Sequence, residues 1–312
     1  MTTLAPEGVA AYPVPRRPRW LRGLRIVGRV LPLAPAVVIL LLFMAGPIIW
    51  AVYGSFTNTA LTGSNARNPA WIGLDNYIKL FGDPTFFQSL RLTVLFVFAS
   101  AVVGQNVLGL GLALAMARAG KAVRAIAGTI VVTAWVLPEL VAAFAAYAYF
   151  TGNGTLNQML GALGVSGRNW LFDFPMATVI LANVWRGTAF SMLVYQAALR
   201  SVPPELTEAA SLDGAGTRQS LLYVTLPVIR SSIATNLMLT TLQTLSVFTL
   251  ILVMTSGGPG FKSSTLPVFA YQEAFKFGDI GYGTAIATVM LLIGAVFAVA
   301  YIRLLGLERE RT

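Results

Sequence analysis

The sequence predicts an all-α, polytopic membrane protein with six transmembrane helices, on three observations. Of its 312 residues 56% are hydrophobic and 11% charged, where soluble domains carry about 25% charged. Several apolar stretches exceed the roughly 18 to 20 residues that take a helix across hydrocarbon, and only helices and closed barrels satisfy their backbone there. Apolar and polar residues do not alternate with a period of two, which argues against a barrel.

Residues 1–29 read as a basic tail, with Pro13, Pro15 and Pro18 set among arginines, a composition that does not pack. The first span is placed at 30–54. It is too long for a signal-peptide core and no small-residue cleavage site follows it, so it reads as a retained helix. Further spans are placed at 88–117, 123–150, 175–200, 228–255 and 282–305. Residues 30–305 thus form one membrane domain, interrupted by a polar loop at 201–227 and followed by a short tail at 306–312.

Charge sets the orientation. Arg16, Arg17, Arg19, Arg22, Arg25, Arg29, Arg118, Lys121, Arg124, Arg200, Arg218, Arg230, Arg303, Arg309 and Arg311 fall on one side, against Arg67, Lys79, Arg91, Arg168, Lys262 and Lys276 on the other. The positive-inside rule makes the first side cytoplasmic, with both termini there. The net charge of +10 is scattered over helix ends instead of forming one stripe, so anionic lipid headgroups explain it better than nucleic acid does.

Composition also narrows the chemistry. The chain has no cysteine and no histidine, which removes disulfides, thiolate metal sites and the commonest general base. No phosphate-binding G-x-x-x-x-G-K-[ST] loop occurs, and Gly120-Lys121-Ala122 does not replace it. Glu139 is the only acid inside a span, so no paired carboxylates are available for an intramembrane enzyme.

The polar loop is the most informative segment. Pro203 and Pro204 pre-set a first helical turn, Glu205 complements its dipole, and Leu206, Ala209, Ala210 and Asp213 share one face. Gly214 and Gly216 break this helix; a second piece is expected over about 217–223, and Pro227 marks re-entry into the membrane. Ala209 and Ala210 admit a close partner, while Glu208 and Asp213 offer carboxylates to a basic or amide-rich groove. The alternative is an amphipathic helix lying on the headgroups.

Three spans carry polar groups, which are costly in lipid and turn toward a cavity or a neighbouring helix. In the fifth, Asn236, Thr240, Gln243 and Thr244 share a face, suited either to hydroxyl-rich solute or to joining helices. In the fourth, Asn183, Arg186, Gly187 and Phe190 line one face; in the third, Trp135 and Glu139 flank Pro138. Counting rise along each span sets Glu139 and Arg186 at levels roughly 10 Å apart. A buried ion pair and two separate cavity-lining charges are both open, with Trp135 able to stack on a pyranose ring.

The spacing Glu208-Ala209-Ala210, three residues, Gly214, nine residues, Val224, one residue, Leu226-Pro227 resembles the EAA loop of ATP-binding-cassette importer permeases, with valine where isoleucine is usual. Trp71–Tyr77 followed by Asp83-Pro84, and Gly257-Gly258-Pro259 with Thr265, resemble segments of the maltose-type, carbohydrate-uptake branch. The resemblance covers about 30–305 and implies the type I importer permease fold. It implies that Glu208, Ala209, Ala210, Asp213, Gly214, Ala215, Leu226 and Pro227 contact an ATPase, and that Gly257, Gly258 and Pro259 contact a solute-binding protein. By the same resemblance Trp135, Glu139, Asn183, Arg186, Gly187, Phe190, Thr240, Gln243 and Thr244 correspond to sugar-contacting positions, although the charges at 139 and 186 depart from the maltose pattern. The implied assembly has a homologous second permease, two ATPase subunits holding ATP and Mg2+, and an extracytoplasmic binding protein. A permease for glycerol phosphodiesters or another anionic solute is the alternative.

Overall fold

The computed structural model describes residues 31–309, with side chains described for 32–303. The basic tail expected over 1–29 and the last residues of the expected tail lie outside them. Residues up to Trp50 form one unit and the chain from Ala51 another. Among the described residues the only β feature is an isolated bridge between Thr57 and Trp71. Four helices are long and apolar enough to cross a membrane, or up to six if each bent pair is one span.

Helix α1 (Ala34–Gly54) is uncharged along its length and starts with Pro35 in its first turn. The chain beyond it is closed by Trp71–Tyr77: Asn76 donates to the carbonyls of Ser55 and Thr57 at 2.9 Å each, Tyr77 shares a 2.7 Å hydrogen bond with Ser55, and Trp71 stacks on Phe56. Helix α2 (Asp75–Gly82) leads into α3 (Pro84–Arg118). The Asp83 carboxylate accepts the Thr85 N–H at 2.8 Å and Pro84 fills the first helical position, so α3 begins before the expected residue 88. At 35 residues α3 rises about 52 Å and overreaches the roughly 30 Å hydrocarbon core. Its middle, Val97–Gln105, is π-helical.

The third and fifth spans differ from expectation, because neither is continuous. The third divides into α4 (Lys121–Val136) and α5 (Glu139–Phe150), and with the following α6 (Thr155–Ala162) the axis turns by 106°. Pro138 lacks an N–H and pushes Leu137 out of the helical region, to ψ 134°. Helix α7 (Pro175–Arg200) occupies the expected fourth span. After the polar loop, described below, come α8 (Pro204–Leu212), α9 (Thr217–Val228) and α10 (Arg230–Leu245), the last two bent by 70°. The fifth span then breaks at Ser246–Phe248 before α11 (Thr249–Thr255). No proline or glycine marks that break; the Ser246 hydroxyl takes the Gln243 carbonyl at 2.9 Å, a local bond that competes with the helix. Helix α12 (Leu266–Tyr271) passes into a π turn at Gln272–Lys276, and α13 (Ile280–Arg309) outlasts the expected 282–305 at both ends.

Lipid is as apolar as leucine, so close packing and interhelical hydrogen bonds hold the helices together. Gly109 of α3 faces α7 so closely that a Cβ there would stand 2.5 Å from Ser191 Cβ. Around this contact runs a buried polar network. Asn106 of α3 donates to Thr240 of α10 at 3.3 Å and accepts from Asn236 at 2.7 Å and from the Tyr195 hydroxyl of α7. Asn236 also donates to Ser191 at 3.0 Å. Each such bond contributes on the order of 0.6 kcal/mol, so the set fixes the order and rotation of α3, α7 and α10 more than any one member does. Apolar clusters form around Phe96, Val179, Leu250 and Ile251, around Leu80, Phe86, Phe269 and Ile286, and around Ala113, Met116, Met192 and Tyr195.

Candidate functional site

The loop between α7 and α10 is a rigid bend on an exposed knob. Helix α8 ends in a full Schellman arrangement: Gly214 adopts φ 81°, its N–H donates to Ser211 at 3.1 Å, and the Ala215 N–H reaches the Ala210 carbonyl at 2.9 Å. Only glycine takes that backbone without strain. Helix α9 restarts at once, with the Gln219 side chain accepting the Gly216 N–H at 2.9 Å. Glu208, Ala209, Asp213 and Gly214 are exposed, and Leu212 is 88% and Tyr223 77% accessible. A groove of about 320 Å3 runs between the two helices, lined by Asp213, Gly214, Ala215, Gln219, Tyr223 and Val224. The proline entry and the glycine bend fall at the expected residues, but the second piece does not stop near 223 and Pro227 does not end it: α9 runs on to Val228 and the 70° bend falls at Ile229. Two exposed apolar side chains on a stiff polar knob are suited to a protein partner.

The intramembrane residues separate into two groups. Asn183, Thr240 and Thr244 are buried between helices of this chain: Asn183 donates to the Ser100 hydroxyl at 3.0 Å, and Thr240 donates to the Asn236 carbonyl at 2.8 Å. Gly187 gives room to Gln105, whose amide donates to the Asn183 carbonyl at 3.1 Å, and a Cβ at 187 would overlap that side chain. In the structure these four pack against neighbouring helices of the same chain, the geometry of the helix-joining alternative. Sequence reasoning missed Gln105, Asn106, Ser191 and Tyr195, although Gln105-Asn106 in the middle of an apolar span was a visible signal.

Trp135, Phe190, Arg186 and Gln243 remain accessible. Trp135 and Phe190 approach with ring centroids 5.9 Å apart, across α4 and α7. Arg186 sits one turn from Phe190 on α7, and its Nε is buried without an acceptor. Glu139 does not pair with it. Among the described residues the one ion pair is Lys79–Asp279, at 2.9 Å, and the Glu139 carboxylate instead accepts the Leu250 N–H at 3.2 Å. Leu250 lies in the first turn of α11, whose unpaired N–H groups and positive dipole end receive a carboxylate well. The ion-pair alternative is thereby replaced by a helix-terminus contact.

At the opposite end from the knob, Gly257 takes φ 80° and the Ser263 hydroxyl donates to the Gly258 carbonyl at 2.8 Å, fixing the Gly257-Gly258-Pro259 turn. Gly258 and Pro259 border an open cavity of about 750 Å3 with Tyr147, Thr151 and Phe172. Nearby, Lys79 lies 3.8 Å over the Tyr282 ring, and the Tyr282 hydroxyl donates to Asp83 at 2.8 Å. Burial pushes the Glu273 carboxyl above its usual range, against the pull of Lys79.

Membrane helices with an exposed polar loop at one end and an open cavity at the other are the setting in which comparison with known proteins places the chain. Residues 105–306 match the family described as binding-protein-dependent transport system inner membrane component. The chain belongs to that family; it is a multi-pass permease subunit and not an enzyme. It is 34% identical over 295 residues to the sulfoquinovosyl glycerol transport system permease protein of Agrobacterium fabrum, covering 92% of this chain and 94% of that one. It is 32% identical over 244 residues to the trehalose/maltose transport system permease protein of Thermococcus litoralis, covering 77% of this chain and 81% of that one. In fold it is similar to a chain of a bacterial ABC transporter involved in the import of the acidic polysaccharide alginate, with TM-score 0.75 at 23% identity over 93% of this chain and 99% of that one.

Proposed function

We propose that this chain forms one half of the translocation path of an ATP-driven importer for a disaccharide or oligosaccharide delivered by a solute-binding protein. One observation carries the reading: the exposed bend at Gly214, with Glu208, Ala209 and Ala210 on the helix before it and Leu226-Pro227 after it. It is a lever that an ATPase subunit grips and that transmits motion directly into α7 and α10. Two ATPase subunits hold ATP and Mg2+; a homologous second permease completes the path; the binding protein seats near Gly257, Gly258 and Pro259. The knob and both termini lie in the cytoplasm, an orientation supported by the fifteen basic residues assigned to that side. The sugar reading is supported by relatives whose names specify trehalose/maltose and sulfoquinovosyl glycerol transport.

Solute passes Trp135, Phe190, Arg186 and Gln243, the accessible members of the intramembrane set, while Glu139 holds the wall beside them. A second reading, an anionic sugar derivative or glycerol phosphodiester, is favoured by Arg186, a cation inside the membrane with no carboxylate paired to it among the described residues. Reconstitution with the ATPase, second permease and binding protein tests both: labelled neutral disaccharides are compared with sulfonated and phosphodiester analogues. ATP-dependent uptake of at least one of these supports the function, and uptake of none under conditions of assembled complex rejects it.

A further inference from the structure

Where α3 ends, α4 begins and α7 ends, on the coupling-loop side of the molecule, a small cavity of about 180 Å3 opens between the helices. Its lining is amphipathic. Ala113, Met116 and Leu199 are apolar, and Arg124 and Arg200, both exposed, are among the lining residues, with no carboxylate beside them. Arg124 is held in place: its Nε donates to the Met116 carbonyl at 2.9 Å and its Nη2 to Ala117 and Ala119 at 3.3 and 3.1 Å, leaving Nη1 uncommitted. Gln196 is anchored on the Met116 sulfur at 3.0 Å. Neither cation has a carboxylate partner, since the only ion pair among the described residues lies elsewhere, at Lys79 and Asp279.

We infer that this cavity binds the phosphate of an anionic glycerophospholipid. The site's position at the helix ends is where a headgroup lies, and basic pockets between transmembrane helices are a recurrent headgroup site. A free anion would need the arginines alone; the apolar residues beneath them fit the glycerol and the first carbons of acyl chains. Val123 and Ile126, on α4 one residue before and two after Arg124, are exposed and apolar. Because Arg200 stands three residues before Pro203, an occupied site braces the foot of α7 where the coupling loop leaves it.

The complete importer in nanodiscs of phosphatidylcholine with a minority of phosphatidylglycerol provides the test, with lipids retained on release counted by native mass spectrometry. Wild type should retain phosphatidylglycerol over phosphatidylcholine, Arg200→Gln should lose about five-fold of it, and Arg200→Lys should keep part. Arg118→Gln, a neighbouring cation that does not line the cavity, should retain it as wild type does. Unchanged retention in Arg200→Gln, or an equal loss in Arg118→Gln, overturns the site. Should Arg200→Gln not assemble, competition on wild type decides, since one-for-one displacement by phosphatidylcholine overturns it. Inorganic phosphate added to phosphatidylcholine discs should leave the thermal midpoint unchanged; a rise equal to that given by phosphatidylglycerol overturns the lipid in favour of a free anion.

Discussion

The Glu139 carboxylate accepts the backbone N–H of Leu250 at 3.2 Å, and so ties the point where the third span breaks to the point where the fifth restarts. Glu139 is the first residue of α5, and Leu250 lies in the first turn of α11. The side chain of the first residue of one helix thus supplies the acceptor for an N–H in the first turn of the other.

That contact predicts a split between two substitutions. Glu139→Ala strips the acceptor and should lower stability by about 1.5 to 3 kcal/mol, the scale of a hydrogen bond to a charged group. Glu139→Gln keeps a carbonyl in place and should retain most of the stability. Thermal midpoints of the assembled importer, read beside uptake, check the difference; equal losses would show that charge, not the bond to α11, is what matters at this position.

The approach of α3 to α7 at Gly109 should not tolerate a side chain. Gly109→Val overpacks against Ser191 and Met192 and should cost about 1 to 3 kcal/mol. Gly111→Val, two residues along the same helix with nothing within 4 Å of its Cβ position, should be close to neutral. Detergent thermal unfolding of both variants is sufficient, and a neutral Gly109→Val would refute the packing described.

The sequence made the outer shape of this fold legible and left its joints illegible. Spans announce themselves by length and apolarity, and α7 falls on its expected residues. Gly214 and Gly216 located the bend between α8 and α9 because glycine acts through the backbone, independently of tertiary context, whereas the second bend falls two residues beyond Pro227, at Ile229. The break at Ser246–Phe248 carries no such residue; it exists because α11 packs on α5 and because Glu139, far away in sequence, receives its N-terminus. The intramembrane polar residues were found by their rarity, but periodicity could not tell a cavity from a neighbouring helix. Asn106 decides that question for Thr240 and Asn236, and its pairing with them is a long-range fact.

The segment around Glu273 should respond to pH. Burial raises its folded pKa above the unfolded value, so the neutral form favours the folded state. That stabilisation is complete below the unfolded pKa and is lost as pH rises through the folded one. Glu273→Gln removes the titration. Relative to this variant, the wild-type thermal midpoint should fall as pH rises from the ordinary carboxylate range toward neutrality. Parallel pH profiles for the two proteins would contradict it.

At the bend of the knob, Gly214→Val forces a β-branched residue into φ 81° and should strain the turn by about 1 to 3 kcal/mol. The helices of the membrane domain should still form, since the knob is exposed. Recovery of the ATPase subunits with the permease should fall while permease expression holds. Normal recovery and normal substrate-stimulated ATP hydrolysis would remove the bend from the coupling path.

The central claim, that an ATPase subunit grips this knob, is tested most directly by cross-linking. The chain has no cysteine, so Leu212→Cys, at a position 88% accessible, supplies a single thiol without background. With a cysteine placed in the permease-facing groove of the ATPase, oxidation of the transporting complex should give a permease–ATPase adduct whose yield changes between the nucleotide-free and ATP-bound states. Absence of that adduct in a complex that still transports, with thiols shown to be reactive, would contradict the claim.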